Sequence, residues 1–287
     1  MKNLANQALI CLMLLAARPA LADFTVLFND PCVDAGCTPY GSTGSPQYYG
    51  GSGASPAGDI IGPQEDFDIL SMTVSHAGAN LEVSIVTRFI PNPDSPTITN
   101  IQYGDLMLST NGWSPTGGSP YDTDHASSVG TTDWNYVVRT PSQDFGTDYD
   151  ADIYQDAALE KSDTAPHGTD PGAEYREDQY VRYGSGGTLV DSAQVSISPE
   201  LLPSVVDGEE GAAVGTRLDY VIPLAALGLV NINNPVELAL RWTMTCANDI
   251  IEGSVLFVPE PAPLSLLLGG LMGLGAFRQM RRQPKSA

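Results

Sequence analysis

The sequence predicts an all-β protein, a β-sandwich of jelly-roll type with long loops, followed by a C-terminal hydrophobic helix. Three observations carry this reading. Between residues 23 and 257, apolar and polar residues alternate in short runs, which is the period of a half-buried strand. Clusters of Gly, Pro, Asp, Asn and Ser separate these runs. No segment of this body carries the 3.6-residue apolar period over an ordinary helix length. Many short strands with turn-rich connections bury their apolar faces most simply in a sandwich.

The elements follow in order. Residues 24–28 are a short strand. Residues 36–62 are rich in Gly, Ser, Pro and Tyr and read as a long loop, because that composition builds no core. Residues 67–74 and 81–89 both alternate. In the second, Leu81, Val83, Ile85 and Thr87 share one face, and Val86 and Arg88 the other. The intervening Ser75-His76-Ala77-Gly78-Ala79-Asn80 is a turn, which makes the pair a hairpin. Pro91, Pro93 and Pro96 end it. Residues 98–109 form the next strand, with Gly104-Asp105 in its middle and Trp113 just past it. From 115 to 177 the chain is mostly Gly, Asp, Ser, Thr and Pro. It contains a strand at 133–139 and the acidic stretch Asp148-Tyr149-Asp150-Ala151-Asp152. Strands resume at 179–183 and 188–197. Residues 216–222 lead through Pro223 into a one-turn helix at 225–228. A long central strand, 236–246, and a closing strand, 252–257, complete the body.

The two ends predict export. Lys2 supplies a basic start, residues 8–17 are apolar, and Ala20-Leu21-Ala22 offers the small residues of a signal-peptidase site, so residues 1–22 read as a signal peptide cut before Asp23. The apolar run is shorter than the roughly 20 residues a membrane span needs. Ile10 before Cys11 excludes a lipobox. At the other end stand Pro259-Glu260-Pro261, an apolar segment at 264–277, then Arg278, Arg281, Arg282 and Lys285. The basic cluster belongs on the cytoplasmic side. The chain is therefore expected to pass through an inner-membrane intermediate with its body outside.

This order of parts resembles the tripartite PEP-CTERM sorting signal of Gram-negative surface proteins. The resemblance covers residues 258–287. It implies recognition by an exosortase, a membrane cysteine protease, with cleavage near Pro259-Glu260-Pro261. It further implies release or transfer to the cell surface or extracellular space in organisms that make exopolysaccharide. Signal peptidase, exosortase and exopolysaccharide are the partners it implies. A second resemblance rests on Thr216 to Pro223, Ala226-Leu227-Gly228, Leu240-Arg241-Trp242, Cys246 to Gly253 and Tyr103 to Leu108. Together they are similar to a family of PEP-CTERM surface proteins. The C-terminal part also resembles carbohydrate-binding-type sandwiches, in which an Ile-Pro-x-x-x-Leu-Gly turn precedes a strand ending in Cys-Gly-Asn-Asp. Ala247 stands where that pattern has glycine.

Composition narrows the function classes. The chain has 13 Lys and Arg against 34 Asp and Glu, a net charge of −21. Six of the basic residues lie in the two ends, so the mature body carries about −26. Such a body repels nucleic acid and anionic membranes, which excludes a nucleic-acid partner. Its acidity either keeps the protein solvated or holds cations. Three cysteines remain in the body. Cys32 and Cys37 enclose a short loop and are expected to pair, which leaves Cys246 as a buried thiol. A long-range bridge from Cys246 to the N-terminal loop is the alternative. His76, His125 and His167 are scattered and lack zinc-ligand spacing.

Calcium is the one cofactor the acidic residues suggest. Asn248, Asp249 and Glu252 follow the long strand and are placed to meet Asp105 across the sheet, either as oxygen ligands or as turn stabilisers. Asp148, Asp150 and Asp152 copy the opening of an EF-hand loop, but Ile153 and Leu159 stand where that loop needs glycine and glutamate. Asp122 and Asp124 are a weaker version of the same pattern. Trp113 and Trp134, at strand ends beside polar loops, are candidates for stacking on sugar rings or for ordinary packing. Trp242, mid-strand, is core. Tyr48, Tyr49, Tyr121 and Tyr149 sit in polar loops. No nucleophile elbow, zincin motif or phosphate loop occurs, and no catalytic residue is assigned. The expected function is a non-catalytic surface or matrix protein associated with exopolysaccharide. The alternatives are a glycan-binding module, with or without calcium, and a glycoside hydrolase or lyase built on two carboxylates.

Overall fold

The structure is a computed structural model that describes residues 23–29, 64–91, 101–114, 131–140, 148–162, 178–203, 212–230 and 232–259. Among them are one four-residue helix, α1 (Gln64–Phe67), and twelve strands: β1 (Phe24–Asn29), β2 (Ile69–Ala77), β3 (Asn80–Thr87), β4 (Leu106–Ser109), β5 (Tyr136–Val138), β6 (Asp148–Gln155), β7 (Ala158–Lys161), β8 (Tyr180–Ser185), β9 (Thr188–Pro203), β10 (Ala212–Pro223), β11 (Val236–Thr243) and β12 (Ile250–Phe257). The chain divides into two compact units. The larger comprises residues 23–229 and 236–256. The smaller gathers residues 1–22, 230–235 and 257–287, few of which are described. Among the described residues no helix is long and apolar enough to cross a membrane.

Alternation along the strands builds the core. In β10, Leu218, Tyr220 and Ile222 are fully buried. They stand opposite Ile85, Val83 and Leu81 of β3, and Leu218 and Tyr220 also face Ile197 and Val195 of β9. All of these partners are buried too, so each register position adds an apolar row to the same face. Ten strands join in one antiparallel sheet, in the order β1-β2-β3-β10-β9-β6-β5-β4-β11-β12. The sheet curls until its halves touch. The Tyr103 hydroxyl lies 2.8 Å from Thr216 Oγ1, and the Ile69 amide donates to Asp249 Oδ2 at 2.6 Å. The α-carbon of Gly253 in β12 packs so closely on the Phe28 ring of β1 that a β-carbon would collide with it. The sheet is thus nearly closed into a barrel-like shape, which reduces the exposed edges an open sheet would carry.

Three strands are buried on both faces, β4, β5 and most of β11. The outer face carries the row Arg241, Met107, Val137 and Tyr154, one residue from each of β11, β4, β5 and β6 in register. Met107, Val137 and Ala239 form a cluster with Trp134, and Leu159, Tyr180 and Tyr183 of the separate β7–β8 pair pack on it. The hairpin roofs the sheet, so alternation is lost where both sides are covered.

Several expectations change. Residues 148–152 are the first part of β6, not a loop. β7 was not expected, and residue 67 ends α1 rather than starting a strand. The six-residue turn expected at 75–80 shortens to Gly78 and Ala79, with Ala77 paired to Asn80. His76 lies buried in β2, its Nε2 3.1 Å from the Gly78 carbonyl. At 225–228 the chain makes a turn of i→i+3 bonds closed by Gly228 at φ 69° rather than a helix. Ala247 has φ 51°, in the left-handed region that favours glycine. The expected signal peptide (1–22) and loop (36–62, with Tyr48 and Tyr49), Cys32, Cys37, Tyr121, Asp122, Asp124, Glu260, Pro261 and residues 264–287 lie outside the described residues. Cys246 is buried just past β11.

Among the described glycines, the closest backbone approach is at Gly104, whose amide donates to the Thr243 carbonyl at 3.0 Å and where a β-carbon would strike the carbonyl oxygens of Thr243 and Val181. Backbone cannot give way as a side-chain tip can. Gly104→Ala is expected to lose about 3 kcal/mol of stability in urea unfolding. Gly78→Ala, with φ 68° and open space at its β-carbon, is expected to lose only about 1 kcal/mol. Equal losses at the two sites would contradict the close approach.

Candidate functional site

The site grows from what fixes the β7–β8 hairpin to the sheet. Asp105, next to Gly104, is buried. Its Oδ1 accepts the Thr140 amide at 2.6 Å and its Oδ2 the Tyr183 amide at 2.7 Å, while its own amide donates to the Val181 carbonyl at 3.0 Å. One side chain therefore ties the end of β5 and the middle of β8 to the start of β4. Burial pushes the Asp105 carboxyl up to about 6. The two amides and the charges of Arg139 and Arg182 oppose that rise. Thr140 also donates to the Gly104 carbonyl and lies 3.1 Å from the Tyr220 hydroxyl, whose own ionisation is suppressed by burial. Ion pairs Arg182–Glu160 at 2.6 Å and Lys161–Asp178 at 2.9 Å lace the hairpin itself.

A second tie is a buried ion pair. Arg241 in β11 donates from Nη1 to Glu252 Oε2 in β12 at 2.8 Å, with both side chains almost fully buried. Arg241 Nη2 donates to Gln179 Oε1 at 2.6 Å and Nε to the Tyr180 carbonyl at 3.3 Å. The Trp113 indole donates to Glu252 Oε1 at 3.3 Å. Desolvating both charges is unfavourable, and these surrounding hydrogen bonds offset that penalty. The network fixes the start of β8 and the Trp113 ring together.

Between these anchors opens a cleft of about 420 Å³. Thr131, Thr132, Asp133 and Trp134, before β5, line it together with Ala157, Ala158, Leu159 and Tyr180 from β8 and the region of β7. Its polar residues are held in place. Asp133 Oδ2 accepts from Asn111 Nδ2 at 2.7 Å, and Thr132 Oγ1 accepts the Ser114 amide at 3.0 Å. Asn135 is fixed by two bonds to Thr110, and its carbonyl accepts the amide of Asp156, which has φ 54°. On the same outer face the Tyr154 and Tyr183 rings stack at 4.4 Å, and the exposed Arg139 lies with Cζ 5.7 Å from the centre of the Tyr183 ring.

The residues singled out in the sequence scatter across this frame. Trp113 and Glu252 meet, but as partners in the Arg241 network. Trp134 is 6 % exposed and packs in the outer cluster while lining the cleft. Asp105 holds the amides of Thr140 and Tyr183. Asp249 accepts the amides of Ile69 and Ile250, and its carbonyl accepts the Thr243 hydroxyl. Asn248 is buried beside it. Asp148, Asp150 and Asp152 project from alternate positions of β6, the spacing of one strand face and not of a metal loop. Among the described residues no three of His, Cys, Asp and Glu converge to hold a metal ion. Sequence reasoning missed Asp133, Arg139, Tyr154, Tyr180 and Tyr183. The alternation Asp148, Asp150, Asp152, Tyr154 was the available signal for β6 and for the outward Tyr154.

No family model, curated protein or solved structure matches this chain. The site therefore stands on its own geometry.

Asp105 gives that geometry a pH signature. Its folded carboxyl binds a proton more tightly than the unfolded one, so its contribution to stability is full below the unfolded value of 3.8 and is lost as pH rises through about 6. Relative to Asp105→Asn, which does not titrate, the wild-type chain should lose roughly 2–3 kcal/mol between about pH 4 and pH 7. Urea unfolding at a series of pH values measures this. A wild-type advantage that grows with pH would contradict it.

Proposed function

We propose that this chain is a non-catalytic exported protein of the cell surface or extracellular matrix that binds glycan chains in the aromatic cleft. The observation that carries the glycan reading is the open cleft itself. Half-buried Tyr180 lines it beside the almost fully buried Trp134 and offers ring surface for a sugar C–H face, and the exposed Asp133 stands with Thr131 as partner for hydroxyls. Among the described residues lining it Asp133 is the one carboxylate, whereas a glycosidase needs two facing carboxylates. That favours binding over hydrolysis.

Export and sorting rest on the two ends of the sequence. In this reading signal peptidase cuts before Asp23, residues 264–277 form a membrane-inserted helix, and an exosortase cleaves near Pro259-Glu260-Pro261 before the body joins exopolysaccharide. We further infer that the finer architecture is a jelly-roll-like sandwich. The contacts of Tyr103 with Thr216 and of Ile69 with Asp249, which bring the two halves of the sheet face to face, support it.

The test is titration of the full-length chain, in detergent, with a panel of soluble neutral polysaccharides while tryptophan emission is followed. At least one should give a saturable change. Asp133→Ala, at an exposed position, should weaken that binding about tenfold, the effect of losing one hydrogen bond to a charged group. No response across the panel, or unchanged affinity in the variant, would contradict the reading.

A further inference from the structure

Arg139 stands out in so acidic a molecule. Among the described residues, Arg88, Lys161, Arg182, Arg217 and Arg241 each form an ion pair with a carboxylate. Arg139 forms none with a described carboxylate. Its backbone is fixed, since its amide donates to the Asp152 carbonyl at 2.9 Å. Its exposed guanidinium lies over the Tyr183 ring, which stacks on Tyr154. Both tyrosines are held as well. Tyr183 Oη donates to the Gly186 carbonyl at 3.0 Å, and Tyr154 Oη to Asp152 Oδ2 at 3.2 Å. The face of the ring attracts the guanidinium, whose planar fork suits a bidentate partner. Tyr154, Tyr180 and Tyr183 all pack on the cluster that contains Trp134, so this cation shares one aromatic surface with the cleft.

We propose that Arg139 and the Tyr183–Tyr154 stack form a subsite beside the cleft that receives a carboxylate-bearing sugar, a uronic acid, within an otherwise neutral glycan. This rests on the cleft being a glycan site. The guanidinium pairs with the carboxylate in the fork geometry that suits it. The chain's net charge of −21, with Asp152 on the neighbouring strand, repels a densely charged polyanion at distances up to a Debye length, about 10 Å at 0.1 M salt. An isolated carboxylate meets that repulsion for one charge alone, which close pairing with Arg139 can offset. The subsite therefore selects sparse acidic substitution.

The experiment titrates the full-length chain with partly methyl-esterified oligogalacturonate and with its fully methyl-esterified, uncharged form at matched length. The partly esterified form is expected to bind at least about tenfold more tightly. Arg139→Gln should abolish that difference while leaving affinity for the uncharged form unchanged. Arg139→Lys, which keeps the charge near Asp105 but loses the planar fork, should restore only part of it. Binding of both forms with no preference, or a preference that survives Arg139→Gln, overturns the subsite while leaving the glycan reading of the cleft intact. Binding of neither form, in a chain that does respond to another neutral polysaccharide, overturns the subsite alone. No response to any glycan overturns both.

Discussion

The carboxylate of Asp105 holds two backbone amides that alternation alone would leave to solvent or to chance. Thr140 ends β5 and Tyr183 lies in β8, far apart in the chain, yet both donate to the same buried side chain. Together with the Arg241 network it anchors to the sheet a two-stranded ribbon, a unit marginal by itself in water. Gly104 allows the approach, because only a residue without a β-carbon fits between the Thr243 and Val181 carbonyls. The constraint is local in sequence and global in effect, since it brings an aromatic roof onto strands that would otherwise expose Met107, Val137 and Ala239.

The roof produces the cleft. Arg241 and Glu252 add a polar frame that fixes Gln179, the Tyr180 backbone and the Trp113 ring, so the aromatic surface is ordered before any ligand arrives. Order of this kind suits a binding protein, because less side-chain entropy is lost on association. It also accounts for the paired cations. In a chain this acidic, each of the five paired basic side chains neutralises a nearby carboxylate, and Arg139 alone among those described faces outward over an aromatic ring.

Much of the sheet was legible in the sequence, because residues such as Leu81, Val83 and Ile85, or Leu218, Tyr220 and Ile222, announce one buried face by their spacing. The strands around the site were not. In β4 and β5 both faces are covered, which erases the alternation, and β7 is too short to show any. Asp148, Asp150 and Asp152 carried two signals at once, a metal-loop opening and a strand face. The strand face won, since Ala151 and Ile153 between them are buried. Asp105, mid-strand, and Asp249, after the long strand, are expected as oxygen ligands or turn stabilisers, and they do act as acceptors, but for backbone amides. Partners such as Arg241 with Glu252 and Gln179 come from tertiary placement, which no spacing along one strand encodes.

The most direct test of the clamp is native-state hydrogen exchange by NMR, resolved at the amides of Thr140, Tyr183 and Tyr220 in low urea. If Asp105 binds the hairpin to the sheet as one cooperative unit, the amides of Thr140 and Tyr183 exchange only with the global unfolding that also releases Tyr220 in β10. Exchange of Tyr183 and Thr140 through a separate low-energy opening, with Tyr220 still protected, would show that the hairpin lifts independently and would contradict the account.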